Sequence, residues 1–347
     1  MANVHIRPGW QLPEREVTPE GLWVNRREFV KKAGSGALVA AATLACGDGD
    51  GNGLGVVPDG HGPLDNIPDT PTANLYPEAP NDPRFTPGDR HNVVNPELDA
   101  ASYNNFYEFG TDHGNVWRHV IPFEARPWSL TVSGLVDNPG TYDLVDLERR
   151  FQLQERIYRH RCVERWSVVI PWIGFPLREL LDYVGVQNLA THIAYITFHR
   201  PEQAVGQRTQ TWYTWPYYEG LRIDEAYNDL AFVATGMYGH PLQKQNGAPI
   251  RLHMPWKYGY KSSKSIVELV VTDEQPRTFW NDLQPGEYGF YSNIDPDTPH
   301  PRWSQAEERI IGGDGWIPTL PFNGYGEYVA DLYGGYVTPP GDVPHAN

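Results

Sequence analysis

The sequence predicts an α+β fold. Strand-like segments outnumber helical ones, the helical segments do not alternate regularly with the strands, and no G-x-G-x-x-G follows a strand to open a dinucleotide-binding unit. Taken in order, WSLTVSGLV at 128–136 alternates apolar with small or polar side chains, the period of a strand. DNPGTY at 137–142 is a turn. DLVDLERRF at 143–151 reads as a short helix capped by Asp143. ERIYRHRC then extends as a strand into Cys162. PLRELLDYVGV begins with Pro176, suited to a first helical turn, and runs as a helix to about Val184. Residues 192–199, 230–238, 249–255 and 265–273 are further strand candidates. From Gln275 to about Tyr336 the chain is rich in aromatics, Pro and Gly, which predicts long loops packed over a site.

The composition of the 347 residues, 40% hydrophobic and 20% charged, supports a real core and excludes disorder for most of the chain. With 34 Gly, 32 Pro, 12 Trp and 20 Tyr, loops and aromatic-lined pockets are expected. The net charge is −15, from 28 basic against 43 acidic residues, a field that repels nucleic acid. Any basic site must therefore be local. No repeat of fixed period is found.

The N-terminus reads as an address. NRREFVKK at 25–32 precedes the apolar, small-residue run AGSGALVAAATLA, which is shorter than the ~20 residues of a membrane span. Basic region, apolar region and small residues follow in secretory order. Arg26-Arg27 with Phe29 resembles the twin-arginine export signal. Two cleavage readings fit: a lipoprotein box in which Cys46 is lipidated, or an Ala-x-Ala type cut near residues 40–45. The chain thus divides into a signal at 1–46, a Gly/Pro/Asp/Asn-rich linker and extended arm at 47–100, and a folded domain at 101–347. Only one cysteine, Cys162, remains in that domain, so the chain cannot pair it internally.

Three constellations offer chemistry. In ERIYRHRCVERW the thiol of Cys162 stands among Arg159, Arg161 and Arg165, and positive neighbours favour thiolate. Cys162 is therefore expected to be a nucleophile, with His160 facing the same side if the segment is a strand, or a metal ligand. In QNGAPIRLHMPWKYGYKSSKS, Arg251, Lys257, Lys261 and Lys264 follow a turn at Asn246, Gly247 and Pro249. In an acidic protein they read as a pocket for an anion such as phosphate. YNNFYEFGTDHG offers paired amides, two tyrosines and a glutamate. No C-x-x-C-H for haem and no cysteine set for an iron–sulfur cluster is present, so electrons for a redox reaction would come from outside the chain.

Together these stretches resemble the periplasmic protein-methionine-sulfoxide reductase catalytic subunits of the sulfite oxidase superfamily of molybdenum enzymes. The resemblance extends through PYYEGLRIDEA, EYGFYSNIDPDTPHPRWSQAEERIIG and FNGY, covering about 103–333. It implies a sulfite-oxidase-type molybdopterin-binding fold with mixed sheets, short helices and long loops, and one molybdenum-molybdopterin per chain. By resemblance, Cys162 is the thiolate ligand of molybdenum. Asn104, Tyr107, Glu108, Thr197, Asn246 and Arg251 contact the pterin, and Ser262, Ser263 and Lys264 grip its phosphate end. Glu164 stands just outside the metal's own ligands. At Ser262 this chain reads Ser-Ser-Lys where the family often carries Gly.

The resemblance also implies an exported enzyme that reduces methionine sulfoxide in oxidised periplasmic proteins. Its electrons would come from the quinone pool through a haem-bearing membrane subunit. The alternative is a dehydrogenase of sulfite or another small sulfur compound. A sulfite site should gather several arginines around the metal to hold a dianion, whereas a sulfoxide site should be more open and aromatic.

Overall fold

A strand buried at all of its positions organises the protein. β4 (Trp166–Pro176) reads WSVVIPWIGFP and has no solvent face, so its apolar residues run without alternation. β3 (Gln154–Arg161) pairs with it antiparallel along its whole length, from Gln154↔Gly174 to Arg161↔Ser167. β7 (Phe232–Met237) pairs on β4 from Trp172↔Met237 to Pro176↔Phe232. β11 (Glu307–Ile310) joins its start in parallel, Arg309↔Trp166. The short strands β8 (His240–Pro241), β9 (Arg251–His253) and β12 (Ile317–Pro318) complete this sheet.

The second sheet runs β2-β1-β10-β5-β6, with β1 Ser129–Gly134, β2 Gly140–Asp143, β5 His192–Thr197, β6 Tyr218–Arg222 and β10 Ile266–Thr272. Only β1 and β10 run parallel within it. In this computed structural model, residues 57–85 and 93–342 are described. All of them belong to one compact unit, Asn52–Asn347. The export signal and Cys46 lie outside the described residues.

The expected α+β character holds. The helix Leu144–Arg150 is capped by Asp143, whose carboxylate accepts from the Val145 N–H at 2.8 Å. The helix Leu177–Val184 buries Leu177, Leu180, Leu181 and Val184, a stripe at helical spacing, and stops at Gly185 with φ 70°. Pro176 differs from expectation: at φ −58°, ψ 135° it ends β4 and precedes the helix. β2 begins inside the segment read as a turn, and β4 and β6 went unassigned. From Gln275 onward the chain is mostly loop, as expected, with the helix Phe279–Leu283, β11 and β12 set within it.

Residues 57–85 carry three single turns of 3₁₀ helix at Pro63–Asp65, Ala73–Leu75 and Pro83–Phe85. Buried Glu148 anchors this stretch, accepting from the Tyr76 hydroxyl at 2.7 Å and from the Thr72 hydroxyl. Farther along, Asn81 bridges to Glu155 beside β3.

Candidate functional site

Cys162 is the first residue of the β3–β4 turn. Its N–H donates to Trp166 O at 2.9 Å, and Arg165 N–H donates to Cys162 O at 3.1 Å, closing the turn. The turn has no glycine, so Arg165 itself adopts φ 70°, a conformation costing of order 1 kcal/mol for a residue with a Cβ. The Arg165 side chain holds that geometry by donating to Glu307 O at 3.2 Å and lying 4.2 Å over the Trp316 ring. The Cys162 Sγ accepts from Asn105 Nδ2 at 3.2 Å and from Glu164 N–H at 3.5 Å.

The arginines around Cys162 do not do what their spacing in sequence suggests. Arg161 is buried and donates to Glu308 (2.8 Å), Gln305 Oε1 (2.8 Å), Thr319 (3.2 Å) and the carbonyl of Cys162. Arg159 donates to Asn323 O at 3.1 Å, and Arg165 points to the rim as described. A buried guanidinium must be satisfied locally, and these are. Burial then pushes the Cys162 thiol up to about 12, with the Glu164 charge adding to it against the pull of the Glu164 N–H, Arg161 and Lys264. Arg161 and Lys264 do favour the thiolate, as expected of basic neighbours, but burial outweighs them. A buried thiol of this kind gives up its proton when a bound metal offsets the penalty.

The nucleophile reading also loses its base. His160 does share a face with Cys162, but its Nδ1 lies 3.3 Å from His253 Nε2, and no His160–Cys162 hydrogen bond forms among the described residues. Both imidazoles are buried, and that burial holds each of them well below the usual histidine range, so they stay neutral.

Above Cys162 opens a pocket whose walls are mainly aromatic: Tyr107, Trp166, Tyr217, Tyr260, Trp280 and Tyr288. Of the residues read from sequence, Tyr107, Glu108, His160, Cys162, Glu164, Ser263 and Lys264 line it directly. The others stand immediately behind. Asn104 Nδ2 donates to Asn246 Oδ1 at 2.9 Å, and Thr197 Oγ1 donates to Glu108 Oε1 at 3.1 Å. Arg251 donates to Asn246 O at 3.0 Å and Ser262 O at 3.1 Å, and Ser262 Oγ accepts from Met254 N–H at 3.1 Å. Arg251 and Lys264 face each other across an isolated β-bridge. The structure thus gathers the predicted set around one cavity, drawn from β5, β9, the β3–β4 turn, the turn of 3₁₀ helix at Lys244–Asn246 and two loops.

The basic stretch divides in two. Lys257 pairs with Glu225 at 2.6 Å and Lys261 with Glu219 at 2.7 Å, all four buried, so half of the charge is consumed in the core. Arg251 and Lys264 make no ion pair among the described residues. Burial lowers Arg251 to about 9 and pushes Lys264 down as well, with Arg251 adding to the effect on Lys264. Glu108 is pushed up, again by burial. Arg251 beside the pocket and Lys264 in its wall, the latter with Glu108 as its electrostatic neighbour but no ion pair among the described residues, suit an anionic ligand.

The donor set fits a pterin carrying a phosphate. Around the pocket, Asn104 Oδ1, Asn105 Oδ1 and Ser263 Oγ are buried without a protein partner, and Lys264 Nζ uses one proton on Asn105 O at 2.5 Å. Gly247, at φ 101°, lets the backbone pass within contact of Lys264: a Cβ there would lie 2.8 Å from Lys264 Cγ. The single soft donor, Cys162 Sγ, faces the same space.

Sequence reasoning missed Asn105, which bonds both Cys162 and Glu164 (3.1 Å), although it lies in a stretch singled out for its paired amides. It named none of the wall residues Tyr217, Tyr260, Trp280 and Tyr288 individually, although Trp280 and Tyr288 lie in the aromatic-rich stretch from Gln275 that was expected to pack over a site. Glu164 accepts from Tyr107 OH (3.3 Å) and lies 3.3 Å from His113 Nε2.

The class to which fold and site point is that of the molybdopterin-binding oxidoreductases: residues 117–280 match the family model described as the oxidoreductase molybdopterin binding domain. The chain is 44% identical over 334 residues to the protein-methionine-sulfoxide reductase catalytic subunit MsrP of Burkholderia mallei, covering 94% of each. It is 42% identical over 332 residues to that of Pseudomonas syringae pv. tomato, covering 93% of this chain and 94% of the relative. The chain belongs to the family of protein-methionine-sulfoxide reductase catalytic subunits. Among solved structures, the sulfane dehydrogenase SoxCD of Paracoccus pantotrophus aligns at TM-score 0.43 and 14% identity over 62% of this chain and 65% of that one, too loosely to bear on the site.

Proposed function

We propose that this protein reduces methionine sulfoxide in oxidised proteins to methionine, using molybdenum-molybdopterin. The observation that carries the reading is the character of the pocket: aromatic walls over Cys162 and, among its described lining residues, no arginine. A sulfite dianion needs several fixed positive donors, and Arg159, Arg161 and Arg165 are directed elsewhere. A neutral, dipolar sulfoxide with its methyl and methylene groups suits rings and a few hydrogen-bond donors.

When bound, the cofactor supplies the two-electron, oxygen-accepting centre. The overall change is balanced: sulfoxide, two electrons and two protons give thioether and water. One cofactor per chain is proposed, with Cys162 as its thiolate ligand. Asn104, Tyr107, Glu108, Thr197, Asn246 and Arg251 would hold the pterin, and Ser262, Ser263 and Lys264 the phosphate. Burial and the Glu164 charge push the Tyr107 phenol far above its usual range, so it remains a donor at working pH. Trp280 stacks edge-on to Tyr107 at 5.3 Å.

We place the protein in the periplasm, exported by the twin-arginine route with residues 1–46 as the signal and 47–100 as linker and arm to a catalytic domain at 101–347. Lipidation at Cys46 is the alternative to simple cleavage. No helix among the described residues is long and apolar enough to cross a membrane. Electrons are proposed to come from the quinone pool through a haem-containing membrane subunit, as the family resemblance implies. The test is turnover of molybdenum-loaded protein with methionine sulfoxide and a reduced artificial donor, beside sulfite oxidation. Sulfoxide reduction without sulfite oxidation is expected; sulfite oxidation alone would overturn the direction of the chemistry.

A further inference from the structure

Two histidines beside the Cys162 pocket have no part in the reaction outlined above. His160, on β3, lines the cavity and is 9% exposed. His253, on β9, is fully buried. The two rings meet through His160 Nδ1 and His253 Nε2, 3.3 Å apart. Their outer nitrogens differ. His253 Nδ1 is sealed in without a hydrogen-bond partner, on a ring held between Tyr158 at 5.4 Å and Trp172 at 5.0 Å. His160 Nε2 makes no hydrogen bond among the described residues either, but it is not sealed in. That edge of the ring lies over Gly259, which lines the same cavity: a Cβ at Gly259 would stand 2.6 Å from Nε2 and 2.8 Å from Cε1.

A single proton occupies the contact between the rings, and it can come from either side. If His160 Nδ1–H donated, neutral His253 would carry its proton on Nδ1, a buried N–H with nothing to accept it. If His253 Nε2–H donates, His253 Nδ1 is a bare acceptor and the proton of His160 sits on Nε2, in the cavity wall. Orphaned buried N–H groups are rarer than unfilled acceptors, which selects the second arrangement. A further proton on His160 would leave Nε2–H in place, so the donor does not depend on the charge of the ring.

The same wall carries Lys264 and Ser263, whose hydroxyl oxygen lacks a protein partner, and the charges of Arg251 and Lys264 both reach His160. These are the residues proposed above to hold the pterin and its phosphate. A pterin offers ring nitrogens and a carbonyl oxygen as acceptors. We infer that His160 is a further cofactor-binding residue, whose Nε2–H donates to an acceptor atom of the pterin, and that His253 is the positioning residue that fixes its tautomer. The inference rests on the proposed cofactor site and asks nothing of the substrate.

The first measurement is the ¹⁵N–¹H spectrum of cofactor-loaded protein labelled at histidine, assigned with single substitutions at 160 and 253. The proton is expected on Nε2 of both rings, and a proton on Nδ1 alone in His160 overturns the assignment. The second is retention of molybdenum and pterin during prolonged dialysis. His160→Leu is expected to lose both about fivefold faster than the wild type or more, and His160→Gln, which keeps an N–H near the Nε2 position, to lie between them. Equal retention in His160→Leu and the wild type, or equal loss in the Leu and Gln variants, overturns it. The double variant His160→Leu/His253→Leu leaves neither ring orphaned and separates binding from folding. Its cofactor-free form should melt near the cofactor-free wild type, while the gain in Tm on loading shrinks; an equal fall in both forms would make the pair structural and overturn the inference. A raised KM for methionine sulfoxide in His160→Leu with full cofactor retention would assign the acceptor to the substrate, which also overturns it. Wild-type protein that holds its cofactor but does not reduce methionine sulfoxide would instead overturn the proposed function and leave the role of His160 standing.

Discussion

Gly247→Ala is the sharpest probe of how the backbone shapes the cofactor cradle. Gly247 adopts φ 101° and ends a turn of 3₁₀ helix (Lys244–Asn246), its N–H donating to Lys244 O at 3.1 Å. A side chain at that φ costs of order 1–2 kcal/mol. The new Cβ would also stand 2.8 Å from Lys264 Cγ and 2.9 Å from Lys264 Cβ. These are the root of the lysine side chain rather than its free end, so Lys264 must move, and forced overlap of this kind adds about 1–3 kcal/mol. Gly239 is the control: it has φ 81° but nothing within 4 Å of a built Cβ, so Gly239→Ala carries the strain without the clash. We expect Gly247→Ala to lower stability by about 2–5 kcal/mol and Gly239→Ala by about 1–2 kcal/mol, read as urea midpoints at constant slope. Molybdenum and pterin content should fall in the first variant alone, because Lys264 and the adjoining Asn246 are displaced only there. Equal stability loss in the two variants, with full cofactor in both, would refute the argument that Gly247 is required by the approach of Lys264.

Three further expectations follow from buried charge. Arg161→Met leaves Glu308 buried with, among the described residues, only the Thr319 hydroxyl donating to it, and should cost about 3–5 kcal/mol in chemical denaturation. KM for methionine sulfoxide should be nearly unchanged in the folded fraction, since Arg161 does not line the pocket. Glu225→Gln leaves Lys257 its bonds to Tyr291 O and Asn293 Oδ1 but removes the opposing charge, and burial already lowers this lysine to about 8 against the pull of Glu225. A loss of similar size is expected, recovered in part by adding Lys257→Met, and a thermal melt of the three proteins checks the order. His253 is buried and neutral in the folded protein, held well below 6.5 first by burial and then by Arg251. The unfolded chain therefore binds the extra proton as pH falls below 6.5. The stabilising difference is present above that pH and is lost below it, at up to about 1.4 kcal/mol per pH unit. Urea titrations between pH 5 and 7.5 should show a shallower pH slope in His253→Asn than in the native protein, and equal slopes would sink the assignment.

Local signals found the elements whose ends are chemically marked. The helix over Leu144–Arg150 was readable because Asp143 caps it, and β1, β5, β7 and β10 because apolar residues recur in short bounded runs. β4 was missed for a physical reason. Buried on both faces, it has no alternation, and Pro171 sits within it, where a strand loses a donor. Pro171 is tolerated beside the end of the β7 ladder, which reaches only to Trp172. That boundary belongs to another strand and leaves no mark near residue 171. β6 and β2 are short and gain their pairing from β5 and β1.

The sequence by itself determined the chemistry available at the site. One folded-domain cysteine, an asparagine-rich segment and an Arg/Ser/Lys segment had to serve something, and long motif matches tied them to a molybdenum enzyme family. Only the tertiary structure decided which charges are free to act. Arg161, Lys257 and Lys261 look equivalent to Arg251 and Lys264 along the chain, yet Glu308, Glu225 and Glu219 reach the first three from distant positions. A charge in a core is settled by its partner, and partners brought together across 30 to 150 residues cannot be read from spacing along the chain. The same folding directs Arg159, Arg161 and Arg165 away from the cavity and brings in the rings of Tyr260, Trp280 and Tyr288, so that the thiol read as standing among cations faces an aromatic pocket.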